Sequence, residues 1–592
     1  MSPQATRRKT KLAPHTALVY FHGMGDQKRF EEVSRIVDAL DRYDHLTFGE
    51  NKKMVGIHAK LEKPLTDLKR EVGYISLIYK HEQDKKWERR EHRFYEAYWA
   101  NITAGGVPVT AVLGWILKQA AIPLRALTAP WRDLARLKRS ALLEAWPRLQ
   151  KKRDDLTKSD LKNLLEAYDE FEGWEARRSF PKGGGNQFVK YIGETHKDQE
   201  NAERLDWAAR QWRAHYTRSH LLNFFIIVTF LLAIGLVLAG LVLAVASLLQ
   251  LTTQALPGWF LTWIGEDTLK PTYGNVTMVL LMLFSAIGGS FFLREYLGDV
   301  YFWCSYEETT EKYQKRRDIL KYCSEFLTHV LKNPACERVV VVAHSLGTTI
   351  AYDTILELAR KNRARDPNDL AAGEEIPLHK IQHFITLASP IDKVHYFFEN
   401  QRSKYHRYNR VVEEVRGDIG SEPFSKTGGP WAHWINFWDQ ADIISGSLQT
   451  PADRKNPSLR VDNHEVGSFA FPEPGGAHSA YFENRDVIET IYRCTFGNEF
   501  NFSVIRNSRS KGDKETRYAQ AFLGSGKGWA GTKPFQGVVM SLPWLGLAYA
   551  VLHLAKIEAG RLVALYALGV VFAVAALGAV VGLSRGHLRA LK

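Results

Sequence analysis

The chain has 592 residues, 45% of them hydrophobic, and carries a formal net charge of +14 with a pI near 9.3. This length exceeds one ordinary domain, and the apolar fraction is that of a folded protein. The basic excess lies largely beside apolar runs and accompanies no zinc-finger spacing or base-stacking motif, which argues against a nucleic-acid partner. The 4 cysteines show no metal-ligand spacing, so the sequence predicts unpaired thiols, no metal site and no cofactor.

The first predicted element is the strand-like ALVYF, which ends in His22, Gly23, Met24 and Gly25. Glycines at a strand end let the backbone turn its N–H groups toward a ligand. The helix-like RFEEVSRIVDAL follows, as expected after the first strand of a parallel sheet. An ordinary strand-to-helix turn is the alternative. Residues 1–100 are therefore predicted to form the N-terminal part of an α/β domain with a mostly parallel, doubly wound sheet.

The next region, residues 101–220, is rich in charged helical pattern, as in DLARLKRSALLEAW and SDLKNLLEAYDEFEGW. It predicts a helical insertion that acts as a lid or a membrane-proximal collar. Within it, residues 104–124 read AGGVPVTAVLGWILKQAAIPL and contain Lys118, two prolines and a pair of glycines. Such a segment indicates an interfacial or core helix rather than a membrane span.

Four apolar segments predict two transmembrane hairpins. They are Leu221–Leu249, Gly274–Leu293, Phe535–Ala555 and Leu562–Leu583. The first hairpin occupies residues 221–293, and the second occupies residues 535–592 after a basic linker at 496–534. Basic residues flank the outer ends of the first pair, whereas its internal loop offers only Lys270. This bias predicts a multi-pass protein of the inner or plasma membrane with both termini and the soluble part in the cytoplasm, facing anionic lipid.

Residues 294–495 are expected to complete the α/β domain. Here VVVVAHSLGTT runs from an apolar strand straight into Ser345, and the helix-like TTIAYDTILELAR follows. In such a tight turn the central residue adopts a strained conformation, and its side chain projects above the sheet edge. The pattern departs from G-x-S-x-G because Ala343 stands at the first small position. Ser345 is the candidate nucleophile, and a serine that only caps the helix is the alternative.

A serine nucleophile needs a base and a group that orients the base, and after this type of turn the acid precedes the histidine. WINFWDQADIISGS offers Asp439 and Asp442. Asp442 is favoured because it lies in the loop past the strand end, whereas Asp439 suits a turn or a helix cap. His478, in PEPGGAHSAYFENRDVIETIYR, is the predicted base. His433 and His464 are alternatives that fit structural or surface positions better.

In this order the motifs resemble the α/β-hydrolase superfamily, in its lipase and serine-esterase branch. HGMG resembles the oxyanion turn, AHSLG the nucleophile elbow, and DQAD and GGAHS the acid and histidine loops, over roughly residues 15–100 and 300–495. The resemblance implies the α/β-hydrolase fold. It also implies that the backbone N–H groups of Met24 and Leu346 form the oxyanion hole. The resemblance assigns no role to His22, which is expected to shape the first loop.

The resemblance further implies a membrane-embedded serine hydrolase that cleaves esters through an acyl-enzyme intermediate. In this interpretation Ser345 attacks, His478 is the base and Asp442 orients the histidine. A lipid or other acyl ester is the expected substrate, because the site would lie within reach of the cytoplasmic leaflet. A thioesterase or an amidase would use the same residues. A membrane scaffold or lipid-binding protein that keeps the fold without turnover is the alternative from another class.

Overall fold

The computed structural model describes thirteen stretches of the chain and seven single positions. They are residues 14–23, 28–62, 72–83, 86–103, 139–176, 185–195, 201–215, 303, 311–364, 375–394, 424, 432–439, 442, 444–448, 461–466, 476–497, 541, 544, 545 and 548.

Eight strands form one sheet. In chain order they are β1 (His15–Phe21), β2 (Met54–Glu62), β3 (Val72–Gln83), β4 (Lys86–Glu96), β5 (Cys336–His344), β6 (Ile381–Leu387), β7 (His433–Trp438) and β8 (Asp462–Glu465). In space the order is β2-β3-β4-β1-β5-β6-β7-β8. The first four strands come from residues 1–100 and the last four from residues 294–495, so the two regions build a single sheet.

Helices precede, separate and follow these strands. They are α1 (Glu31–Phe48), α2 (Ala100–Thr103), α3 (Arg139–Lys152), α4 (Lys158–Ala176), α5 (Gly185–Thr195), α6 (202–215), α7 (Glu311–Lys332), α8 (Leu346–Ala364), α9 (Gly476–Ser479) and α10 (Arg485–Phe496). Short 3₁₀ turns lie at Gly49–Asn51, Leu378–Lys380 and Ala480–Glu483. The predicted α/β architecture is confirmed: the sheet is mixed and carries helices.

Strand direction places several strand ends at one edge of the sheet. Strands β4, β1, β5, β6, β7 and β8 pair in parallel in this spatial order, whereas β3 runs antiparallel to both β2 and β4. Parallel strands in register bring their carboxyl ends together, and this edge is where open α/β sheets bind ligands. Gly23, Ser345, Ala388 and Asp439, which follow β1, β5, β6 and β7, therefore meet at this edge.

The valine run of β5 is apolar throughout because both faces of the sheet are covered. Val339 and Val341 pack in the core that includes α7 and α8, and Val340 and Val342 pack in the core that includes α1 and α10. Alternate residues of a strand point to opposite faces, so a strand buried on both faces needs no polar alternation. The edge strand β2 differs, since its Leu61 side chain is 69% exposed.

The helices α3 to α6 lie in the predicted insertion and share a core of their own. That core includes Leu142, Trp146, Leu164, Phe188 and Trp212, all buried. Large aromatic and aliphatic side chains at helical spacing explain why this charged region still folds. Its role as a lid or collar stays a prediction.

In the described part of the chain, no helix is both long and apolar enough to cross a membrane. The predicted spans within 221–293 lie outside the described residues, and those within 535–592 do so apart from four single positions. The two hairpins stay a prediction, and residues 104–124 also lie outside the described residues.

Candidate active site

Ser345 sits on a strained turn directly after β5. Its φ of 54° lies in the left-handed region, which is costly for a residue with a Cβ atom. The Ser345 N–H donates to Leu387 O at 2.9 Å, and the Thr348 hydroxyl donates to Ser345 O at 2.7 Å. The neighbouring strand β6 and the first turn of α8 therefore hold the strained residue in place.

Two glycines allow the end of β1 to pack against this turn. A Cβ atom on Gly347 would lie 2.3 Å from His22 O and 2.4 Å from Phe21 O, distances that no real Cβ atom tolerates. A Cβ atom on Gly23 would lie 2.9 Å from Cβ of Ser345. The sequence has small residues at these positions because the backbone after β1 contacts the backbone of the turn around Ser345.

The structure brings Ser345, His478 and Asp442 into one hydrogen-bonded chain. His478 Nε2 lies 2.7 Å from Ser345 Oγ, and His478 Nδ1 lies 3.0 Å and 3.1 Å from the two carboxylate oxygens of Asp442. An ionised carboxylate only accepts hydrogen bonds, so Nδ1 carries the proton and Nε2 faces the serine hydroxyl as an acceptor. The three side chains are buried, with Ser345 1% exposed.

Asp442 is electrostatically suited to orient this histidine. Burial alone would raise the pKa of its carboxyl, but His478, the Ile444 N–H at 2.9 Å and the nearby Lys393 ammonium together lower that pKa to about 2. The carboxylate is therefore ionised at neutral pH.

The alternative acid, Asp439, occupies a different place. It follows β7 directly and is buried, and its backbone N–H donates to the Tyr481 hydroxyl at 2.8 Å. Of the two predicted carboxylates, Asp442 is therefore the one that contacts His478.

The alternative bases are held in other parts of the sheet. His433 is the first residue of β7, and its Nε2 bonds the Asp462 carboxylate. His464 lies within β8. His478 is the histidine that the fold places against Ser345.

The predicted oxyanion donors lie partly outside the described residues. Leu346 is buried and is the first residue of α8, so its N–H belongs to the helix positions that have no acceptor inside the helix. Met24 and Gly25 fall outside the described residues, and their contribution stays a prediction.

His22 holds the turn after β1 in a defined orientation. Its Nε2 accepts hydrogen bonds from the N–H groups of Trp99 at 3.1 Å and Ala100 at 3.3 Å. Nδ1 therefore carries the proton and donates to Gly23 O at 2.8 Å. Burial lowers the pKa of His22 to about 4, so the ring is neutral at neutral pH. These contacts fit the predicted loop-shaping role.

The segment after β4 supports His22 by stacking and hydrogen bonding. The Trp99 and His22 rings stack with centroids 4.6 Å apart and planes 9° apart. The Trp99 indole N–H also donates to His22 O at 3.2 Å. The sequence offered no local signal for this partner, since the two residues are 77 positions apart.

Two further residues at the site carried no predicted role. His344 Nε2 lies 2.8 Å from His478 O, and burial, with a smaller effect of His478, lowers the pKa of His344 to about 3, so the neutral ring donates this bond. The Tyr481 hydroxyl donates to Asp442 Oδ2 at 3.1 Å. Tyr481 lies three positions after His478, a helical spacing that could have suggested it.

Among the residues that the structure describes, no group of three or more His, Cys, Asp or Glu side chains could hold a metal ion. Comparisons with known protein families, with curated proteins and with solved structures find no significant match to this chain.

Proposed function

We propose that this chain is a serine hydrolase of the α/β-hydrolase fold that cleaves carboxylic esters through an acyl-enzyme intermediate. One observation carries the proposal: the hydrogen-bonded chain from Ser345 through His478 to Asp442, which begins on a strained turn. The mostly parallel sheet, with the serine between β5 and α8, supports the fold assignment.

The reaction follows from the direction of these hydrogen bonds. Ser345 Oγ attacks the acyl carbonyl while its proton passes to His478 Nε2, and Asp442 stabilises the imidazolium. The imidazolium then gives this proton to the leaving alkoxide, so an alcohol departs and the acyl group stays on Ser345. Water attacks the acyl-enzyme, His478 takes its proton and returns it to Ser345 Oγ, and the carboxylic acid leaves.

The oxyanion of each tetrahedral intermediate would bind to two backbone N–H groups. Leu346 provides one at the start of α8, and Met24 is proposed to provide the other. The hydrogen bond from His22 Nδ1 to Gly23 O fixes the residue that precedes Met24 and supports this proposal.

A catalytic role explains features that a scaffold would not need. A left-handed serine costs on the order of 1–3 kcal/mol, and such strain persists mainly where function requires it. The buried polar chain also has its donors and acceptors matched in one direction. Thioesters and amides remain alternative substrates because the same groups would act on them.

We further propose that the predicted hairpins anchor the enzyme and that its natural substrate is a lipidic acyl ester. The apolar segments 221–293 and 535–592 and their basic flanks support this proposal. The test is retention in the membrane fraction after an alkaline wash, with release into the soluble fraction as the contradicting result.

The test of the activity is a comparison of matched substrates and variants. The full chain should hydrolyse a p-nitrophenyl ester, and thioester and anilide substrates with the same acyl group would rank the alternatives. Ser345→Ala should lower ester turnover by about 10³-fold or more. The matched control is Ser324→Ala, which removes another buried serine hydroxyl, on α7, and should leave turnover unchanged. Equal activity of the wild type and Ser345→Ala would overturn the proposal.

A further inference from the structure

We propose that Tyr481 is a positioning residue for the reaction: its phenol O–H fixes Asp442 Oδ2 and limits the basicity of the carboxylate that orients His478. This inference rests on the proposed function. It concerns a residue whose hydroxyl donates to Asp442 and would act on the reaction through that carboxylate.

The surroundings of the phenol determine the direction of its hydrogen bond. The Tyr481 oxygen lies 3.1 Å from Asp442 Oδ2, 2.8 Å from Asp439 N and 3.0 Å from Ser445 Oγ. A backbone N–H only donates and a carboxylate only accepts. The single phenol proton therefore goes to Asp442, and the phenol oxygen accepts from Asp439 N–H and from the Ser445 hydroxyl.

The phenol stays protonated at every working pH. Tyr481 is 2% exposed, so burial raises the pKa of its hydroxyl, and the nearby Asp442 charge raises it further. Tyr481 is thus a permanent donor to the carboxylate.

The two oxygens of Asp442 are held by different donors. Oδ1 accepts from Ile444 N–H at 2.9 Å, and Oδ2 accepts from the Tyr481 phenol. In the described part of the chain, Tyr481 is the donor to Oδ2 besides His478. Loss of the phenol O–H therefore removes one of the two contacts of Oδ2 and leaves the Ile444 bond to Oδ1. The carboxylate keeps its hydrogen bond to His478 but is held less rigidly.

Among the residues that the structure describes, few charged and titratable groups act on this carboxylate. His478, Lys393 and Asp439 act on Asp442 or on Tyr481, and the His344 ring lies 6.3 Å from the Tyr481 ring. Because the pKa of His344 is lowered to about 3, that ring does not change charge in the working range. Burial lowers the pKa of Lys393 to about 8, so this lysine changes charge on the alkaline side of the profile. A change in the acidic limb of the activity profile therefore reports the His478–Asp442 pair.

Removing the phenol O–H should move the acidic limb of the activity profile in one defined direction. A carboxylate that loses a donor becomes more basic and holds the imidazolium more firmly. The histidine then stays protonated up to a higher pH, and a protonated histidine cannot accept the serine proton. The acidic limb of kcat/KM should therefore move to higher pH by about half a unit to one unit. The less well oriented histidine should lower kcat by about ten-fold, with KM within about two-fold.

The experiment compares Tyr481→Phe with Tyr492→Phe in the full chain. Tyr492 is also a buried tyrosine whose hydroxyl donates to a carboxylate, Asp44 Oδ1 at 2.5 Å, and it lies on α10. Both variants lose one buried tyrosine-to-carboxylate bond, so their melting temperatures control for stability. Activity on a soluble p-nitrophenyl ester is measured from about pH 5 to about pH 9. Each rate is divided by the amount of active enzyme, which is counted in a separate sample by labelling Ser345.

A third protein keeps the test valid if Tyr481→Phe folds poorly. 3-Fluorotyrosine incorporated at position 481 keeps the shape and the O–H but donates more strongly, so the acidic limb should move to lower pH. Opposite shifts for phenylalanine and fluorotyrosine, with none for Tyr492→Phe, would establish the role.

Other outcomes overturn the inference. Unchanged limbs in both position-481 proteins, or the same shift in Tyr492→Phe, would show that Tyr481 is merely structural while Ser345-dependent turnover still stands. A wild-type protein without Ser345-dependent turnover would overturn the proposed function and this inference with it.

Discussion

Gly23 and Ser345 touch: a Cβ atom on Gly23 would lie 2.9 Å from Cβ of Ser345. The contact arises because β1 and β5 pair in parallel, with Val19 opposite Val341, so their carboxyl ends meet. The turn after β1, which is proposed to bind the oxyanion, therefore lies beside Ser345, whose attack on the substrate carbonyl would form that oxyanion. Glycine is required at position 23 because a larger side chain would overlap Ser345.

Gly347→Ala should prevent stable folding or lower the melting temperature sharply. Its Cβ atom would overlap the carbonyl oxygens of His22 and Phe21, and backbone atoms cannot move aside as flexible side chains can. The matched control is Gly193→Ala on α5, where nothing lies within 4 Å of the added Cβ atom. That substitution should be neutral or stabilising by about 0.5–1 kcal/mol. Equal melting temperatures for the two variants would contradict the close packing.

Asp442→Asn should lower kcat by several orders of magnitude, up to about 10⁴-fold, because an amide no longer fixes the histidine tautomer or stabilises its charged form. Asp439→Asn should have a far smaller effect, since its backbone N–H rather than its carboxylate binds Tyr481. Steady-state kinetics on one soluble ester, at equal concentrations of folded protein, rank the two variants. The reverse ranking would assign the acid to Asp439.

The strand ends were predictable because local patterns mark them. The valine run before Ser345 and the polar loop after Trp438 each indicate a strand that stops, and parallel strands share an edge. That reasoning reached Ser345, Asp442 and His478 without knowledge of the strand order.

Contacts between side chains far apart in sequence were not predictable in this way. Trp99 binds His22 only because β4 lies next to β1, and no periodicity encodes that neighbour. Tyr481 binds Asp442 across 39 positions, and its helical spacing from His478 suggests only that it lies near that histidine. Hydrogen-bond partners of this kind follow from tertiary packing, so they emerge only with the sheet order.

His22→Ala should lower kcat by about ten- to a hundred-fold with a smaller change in KM. The Gly23 carbonyl would lose its donor, so the oxyanion turn would no longer be fixed. The control is His383→Ala, which removes a buried histidine from β6. It should affect the melting temperature but leave turnover per labelled enzyme unchanged. Equal kinetic losses in the two variants would argue against a role for His22 in the turn.

Glu96→Gln should change how stability depends on pH. Glu96 ends β4 and accepts the Phe30 N–H, and its burial raises the pKa of the carboxyl to about 7. Between about pH 4.5 and pH 7 this carboxyl is protonated in the folded chain and ionised in the unfolded chain. Folding then takes up a proton, so the contribution of Glu96 to stability falls as the pH rises through that window.

Glutamine keeps an acceptor for Phe30 N–H but does not titrate. The free energy of unfolding of the wild type, relative to Glu96→Gln, should therefore fall by about 3 kcal/mol from about pH 4.5 to about pH 7.5. Denaturant unfolding of both proteins across this range measures the difference. Parallel curves would show that the carboxyl titrates at its ordinary pKa.

Covalent labelling of Ser345 tests the proposed chemistry most directly. A fluorophosphonate reacts with a serine whose hydroxyl is activated by a neighbouring base, and peptide mass spectrometry locates the adduct. The wild-type chain should carry one adduct, on Ser345, and Ser345→Ala should carry none. Asp442→Asn should label far more slowly. A folded wild-type chain that stays unlabelled would contradict the assignment of Ser345 as the nucleophile. Equal labelling of the wild type and of Ser345→Ala would also contradict it.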